Sequence, residues 1–256
     1  MVISQNISLD YTKVRLENGT LSHGGSQQWF PKDEGFRDKA IHTGGCGLIA
    51  IFDFMLWYET HAAGSRKGPF SCLAGKSLMS GPVPDREAYM DGIRRLYRRY
   101  PSIPKLGTSA LLLPVCLNVY LRSRRAKMRV SFLFRNTAGK RMRILEGSLL
   151  DGFPVIMDIG AKVNPFSKQK GVTFYKEQNG ELKPGIPNVH RHFVTVTGMR
   201  YPEDATEPVY LEISSWGRKY FVNYDELCSY MTKSSMPWLT GFFFVKIERG
   251  TKPFEE

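Results

Sequence analysis

The run CGLIAIFDFMLWYETHAA, from Cys46 to Ala63, constrains this chain more than any other segment. It is almost continuously apolar, with Asp53 and Glu59 its charged interruptions, so a helix built from it has almost no face to give to water. It predicts a buried helix around which the remaining elements must be arranged. The preceding Thr43-Gly44-Gly45 reads as the turn that caps it.

A chain of 256 residues can enclose such a helix in one large domain without disulfides. We therefore expect a single domain over 1–256. Hydrophobic residues at 42% and charged residues at 23% exclude a disordered chain. Four cysteines, at 46, 72, 116 and 228, form no CxxC pair and have no histidine at zinc-finger spacing, which argues against a structural zinc site. The first twenty residues lack a basic n-region and an apolar h-region, and no run reaches the length of a membrane span. The expectation is a cytoplasmic protein with no membrane partner.

The formal charge is +12. Much of it lies in RRLYRR (94–99) and between Arg122 and Arg143, where basic residues flank VSFLF. A solvated helix face followed by a cationic strand accounts for this pattern. No helix-turn-helix, zinc-finger or RRM signature accompanies it, so nucleic acid is not the expected partner. An acidic peptide or protein substrate suits the charge better.

Residues 1–45 are polar and glycine-rich and read as irregular structure with one short strand. Residues 64–84 read as a loop. Tyr89, Ile93, Leu96, Tyr97 and Tyr100 recur at helical spacing after Pro84-Asp85, and another helix is expected over about 108–124. MRVSFLF is followed by a short helix near 141–151. The runs PVIMDIG, FVTVTGM, VYLEISSW, KYFVNY and GFFFVKI then have the β-branched and aromatic content of an antiparallel sheet. A helical first half and a strand-rich second half define an α+β fold with a cleft between its layers.

Cys46 stands where a thiol is activated, because the free amides and dipole of a helix N-terminus favour thiolate. Gly44, Gly45 and Gly47 allow a sharp turn and a close backbone approach. Cys72, Cys116 and Cys228 have no such setting and read as buried small hydrophobes. A cysteine nucleophile needs a base held by a third group. His192 opens the strand HFVTVTGMR, at a sheet edge facing the cleft. His190 would share its face and is the reserve candidate. His42 points away from a thiol four residues on, and His61 lies late in the helix.

Four segments in order, GGCGLIAIFDFML, LLDGFPVIMDIG, HFVTVTGM and VYLEISSWGRKYFVNYDEL, resemble the papain-like cysteine peptidases, and among them the bacterial peptidases that cleave double-glycine leader peptides. The similarity covers about 25–60 and 140–248, with 64–140 as a helical insertion. Cys46 and His192 lie 146 positions apart, the usual separation in that family.

The resemblance implies a central helix headed by the nucleophile Cys46 and an antiparallel half-barrel whose strand begins with the base His192. It places Ser214 where the family has the Asn or Asp that orients the base, with Trp216 as an aromatic shield. Asn188, Asp158, Glu212 and Asp225 are substitutes for that role. The family's oxyanion glutamine, six residues before the cysteine, is Ala40 here, so Gln27 and Gln28 are the replacements, with Gln28 preferred beside Trp29. The chemistry requires no metal or organic cofactor. A transferase would use the same parts, and a non-catalytic peptide-binding domain on the same fold is the rival reading.

Overall fold

The computed structural model describes residues 6–61, 83–100, 108–133, 137–160, 170–204, 207–233 and 241–247. Over these the chain is α+β, with six α-helices and a large antiparallel sheet. It divides into two compact units, each assembled from separated stretches of sequence. One comprises Tyr11–Val130, Ser215–Arg218 and Lys246–Glu256, and the other Met1–Asp10, Ser131–Ser214 and Lys219–Val245.

The helical unit contains α1 (Gly35–Gly44), α2 (Cys46–His61), α3 (Arg86–Arg99) and α4 (Leu112–Ser123), with a hairpin of β2 (Lys13–Arg15) and β3 (Leu21–His23) and a short 3-10 turn, Gln27–Trp29. As its composition requires, α2 is buried from Cys46 through Tyr58. The turn before it is tighter than expected. Thr43 and Gly44 belong to α1, whose axis meets that of α2 at 86°, and Gly45 alone forms the break. Gly45 N donates to Ile41 O at 2.8 Å, closing α1, and Gly45 O accepts Ile49 N at 2.9 Å, opening α2. A Cβ on Gly45 would lie 2.4 Å from Ile41 O, so the break requires glycine.

Residues 6–45 therefore hold a helix and a hairpin where irregular structure with one short strand was expected. α1 lacks an apolar stripe; it is held by tertiary contacts, chiefly the Asp38 carboxylate beneath Arg94 of α3, 2.7 Å from Nη2. Burial pushes Asp38 up, but the Arg94 and Arg37 guanidiniums outweigh it and hold the carboxyl below its usual range. The amphipathic α3 starts at Asp85, whose side chain accepts Ala88 N at 2.7 Å.

The sheet unit contains β1 (Ile7–Ser8), the end of β4 (Met128–Leu133), α5 (Ala138–Leu150), β5 (Val155–Ile159), β6 (Val172–Gln178), β7 (Glu181–Val189), β8 (His192–Arg200), β9 (Tyr210–Ser215), β10 (Arg218–Asn223), α6 (Tyr224–Lys233) and β11 (Gly241–Ile247). The strand order is β4-β11-β5-β8-β9-β10-β6-β7, with β1 also paired to β8. β8 is thus an inner strand, buried from His192 through Met199, and not a sheet edge. The β6–β7 hairpin turns at Asn179 (φ 54°) and Gly180 (φ 83°), the left-handed pair that a two-residue hairpin demands. Asn223 Oδ1 accepts Asp225 N and Glu226 N at 2.9 and 3.0 Å and so starts α6. Tyr230 and Tyr224 of that helix donate to Gly160 O and Ala138 O. Among the described residues no single helix is long and apolar enough to cross a membrane.

α3 meets α2 where Gly92 faces Phe52, leaving room for no more than a hydrogen: a Cβ would lie 2.2 Å from Phe52 Cζ. Gly92→Ala is therefore expected to destabilise the fold by about 1–3 kcal/mol through overpacking, despite alanine's better helix propensity. Urea unfolding checks this: the midpoint falls at unchanged slope, and a neutral or higher midpoint would show that α2 and α3 separate freely.

Candidate functional site

Cys46, the first residue of α2, bears a reduced thiol and is 9% exposed. Cys116 is also reduced, but burial pushes its thiol up to about 12, which leaves it inert near neutrality. Cys228 is free and half-buried, and Cys72 lies outside the described residues.

The two glutamines differ sharply. Gln28 is exposed, and only its backbone N–H is engaged, by the Ser26 hydroxyl at 3.1 Å. Gln27 is turned inward: its Nε2 donates to His42 O at 3.1 Å, four residues before Cys46, and its Oε1 is buried without a hydrogen-bond partner. The amide beside the head of α2 is therefore that of Gln27, in place of the expected Gln28. Trp29 anchors this segment, edge-on to Tyr89 at 5.6 Å and 3.1 Å from where a Cβ on Gly217 would sit.

His42 is committed elsewhere: its Nδ1 donates to Phe30 O at 2.6 Å. His61 stacks on Trp57, as suits a packing residue, and His23 lies 5.5 Å from the Tyr11 ring. Trp216 (φ 50°) and Gly217 (φ 72°) form the two-residue turn between β9 and β10. That turn is bolted down on both sides, because Gly217 N donates to Gly25 O at 2.8 Å and His23 N donates to Gly217 O at 3.0 Å.

In the sheet unit, His192 is the first residue of β8 and is buried. It follows a tight turn in which Arg191 (φ 53°) donates its N–H to Gly160 O at 3.1 Å. The turn separates His192 from His190, which is exposed and bonded through Nδ1 to Asn188 O, so His190 does not share its strand. Burial lowers His192 to about 3, which keeps the imidazole neutral.

The register decides which groups share its face. Ile159 pairs with His192 and Asp158 with Phe193 on one flank of β8; Ser214 pairs with Thr195 and Ile213 with Val196 on the other. Because side chains alternate, Asp158 and Ser214 lie on the face of Phe193 and Thr195, opposite the face of His192. Ser214 therefore does not stand where an orienting residue must; Ser215, which follows it at the end of β9, alternates onto the face of Ile213 and Val196.

The other candidates are engaged elsewhere. Glu212 is buried and accepts from Thr197 at 2.9 Å and Lys219 at 2.8 Å, and Asn188 Oδ1 accepts Gly171 N at 2.7 Å. Asp225 is exposed on α6. Among the described residues no group of three or more His, Cys, Asp and Glu is placed to hold a metal ion.

The fold thus defines an α+β protein with a buried helix headed by a reduced cysteine and an antiparallel sheet with a buried imidazole at the start of an inner strand. No known protein family, curated protein or solved structure matches the chain.

Asp158 offers a test of this burial. Its carboxyl is pushed by burial from the usual 3.8 to about 8, so between those values the folded chain holds a proton that the unfolded chain releases. Stability from this group is accordingly lost as pH rises through the window. Asp158→Asn removes the titration, and its melting temperature relative to wild type is expected to climb from pH 5 to pH 8. A difference that stays constant with pH would mean that Asp158 ionises normally in the fold.

Proposed function

We propose that this chain is a thiol hydrolase of the papain-like class, cutting amide bonds in a peptide or protein substrate, with Cys46 as nucleophile and His192 as base. The observation that carries the reading is the position of Cys46, the first residue of a helix buried through Tyr58, set directly after an 86° break. The N-terminal amides and positive end of that helix favour thiolate. The order of elements agrees with the papain-like arrangement: thiol-headed helix, then antiparallel sheet, with His192 opening an inner strand.

In this mechanism the sulfur of Cys46 attacks the carbonyl carbon, and His192 accepts the thiol proton and returns it to the leaving amine. Burial keeps His192 neutral, the form that accepts a proton. The Gln27 amide replaces Gln28 as side-chain donor to the oxyanion, since one of its two hydrogens serves His42 O and the amide is already fixed near the helix head. Ser215, whose position in β9 alternates onto the face of His192, replaces Ser214 as the candidate to steady the ring; a serine hydroxyl can accept an imidazole N–H but supplies no charge to an imidazolium. The net charge of +12 favours substrates with acidic residues around the cut.

A second reading, a peptide-binding domain without catalysis, is favoured by the register, because the serine aligned with the family's orienting residue lies on the wrong face of β9. Iodoacetamide separates the two. For a hydrolase, Cys46 is alkylated rapidly well below pH 8.5, the ordinary thiol range, and this advantage disappears in His192→Ala. Labelling at the rate of a free thiol, indifferent to His192, would leave the binding domain.

The assignment of the amide is tested with a p-nitrophenyl ester. Gln27→Ala is expected to slow acylation about 10²–10³-fold, whereas Gln28→Ala stays within about twofold of wild type. Equal effects of the two substitutions would remove Gln27 from the site.

A further inference from the structure

Thr108 is 8% exposed, and its Oγ1 is buried with no hydrogen-bond partner among the described residues. The side chain lies against Gly47, the second residue of α2: a Cβ on Gly47 would sit 2.6 Å from Thr108 Cβ and 2.9 Å from its Oγ1. Any residue but glycine at 47 would displace the threonine. Glycine thus brings a hydroxyl against the first turn of the helix that Cys46 heads, one residue from the thiol.

A buried hydroxyl left without a partner costs about 1–3 kcal/mol, and native chains leave few such groups without a use. An apolar residue of the same shape would fill the space without that cost. The surroundings select what could satisfy it. The first amides of α2 have no acceptor within their own helix and the helix dipole is positive here, so the missing partner is an oxygen bearing negative charge. A hydroxyl donates equally well to the oxyanion formed when a thiolate adds to an amide and to the carboxylate of a bound acid.

We propose that Thr108 Oγ1 is a ligand-binding donor at the head of α2, holding an acyl oxygen of the substrate as negative charge develops on it. This deepens the thiol-hydrolase reading and rests on Cys46 as the reacting group, but not on His192. The hydrogen bond from Thr108 is charge-assisted and therefore strongest toward an anionic oxygen.

Two alkylating reagents of the same size test this, since in both the sulfur displaces iodide from a CH2 group: iodoacetate presents a carboxylate, and iodoacetamide a neutral amide. Rates at Cys46 are read by mass spectrometry of its peptide, with Cys228 as the internal reference. Thr108→Val, which keeps the shape and loses the hydroxyl, is expected to slow iodoacetate about tenfold or more and iodoacetamide distinctly less. Thr108→Ser should keep the wild-type ratio. An unchanged iodoacetate rate in Thr108→Val, or an equal loss with both reagents, overturns the proposal. Indifference of Cys46 to His192→Ala overturns the hydrolase instead, and either result can occur without the other.

Discussion

The helical unit depends on one buried carboxylate. α2 is enclosed from Cys46 through Tyr58, and within that stretch Asp53 is the only ionisable side chain besides the thiol and Tyr58. Its carboxylate accepts Gly25 N at 3.0 Å and Tyr89 Oη–H at 2.7 Å, while its backbone carbonyl accepts the Thr12 hydroxyl at 2.9 Å. One residue thereby joins α2 to α3 and to the segment after β3. Gly25 in turn accepts Gly217 N, so the carboxylate reaches the 216–217 turn through a single intervening residue. The crowding is severe enough that a Cβ on Gly25 would lie 2.0 Å from Tyr89 Oη. Burial outweighs both donors and raises Asp53 to about 7. Loss of a partner in such a network leaves a buried polar group stranded, which is why it holds the segment after β3, α2 and α3 as one piece.

What the sequence made legible follows from the range of each interaction. Burial of α2, the amphipathic α3 and the strands β5, β8, β9 and β11 rest on apolar runs that act locally, and these appear where hydropathy puts them. α1 was illegible because its stability comes from Asp38 meeting Arg94, fifty-six positions away. The β6–β7 hairpin and α6 did carry signals, the Asn179-Gly180 pair and the Asn223 cap, although the apolar patterning assigned no element to either stretch.

The site was legible by element but not by neighbour. Whether Gln27 or Gln28 turns inward depends on a 3-10 turn started by Ser26, in which adjacent side chains point about 120° apart. Whether Ser214 or Ser215 shares the face of His192 depends on strand parity, which is set by the pairing of Thr195 with Ser214. Composition near either pair gives no hint of that phase. Thr108 was invisible for a different reason: its meaning lies in an absent partner and in the glycine beside it.

The electrostatics of the sheet explain why the head of α2 matters so much to the proposed chemistry. Asp158 and His192 occupy adjoining rungs of β5 and β8, yet alternation turns their side chains to opposite faces, so neither can neutralise the other. Burial accordingly drives both toward their neutral forms, the acid up to about 8 and the imidazole down to about 3. An imidazole so placed accepts a proton weakly, and a serine on its face adds no charge to hold it. In the proposed hydrolase, stabilisation of developing charge would then fall to the sulfur's side, to the helix N-terminus, the Gln27 amide held by His42 O and the Thr108 hydroxyl against Gly47.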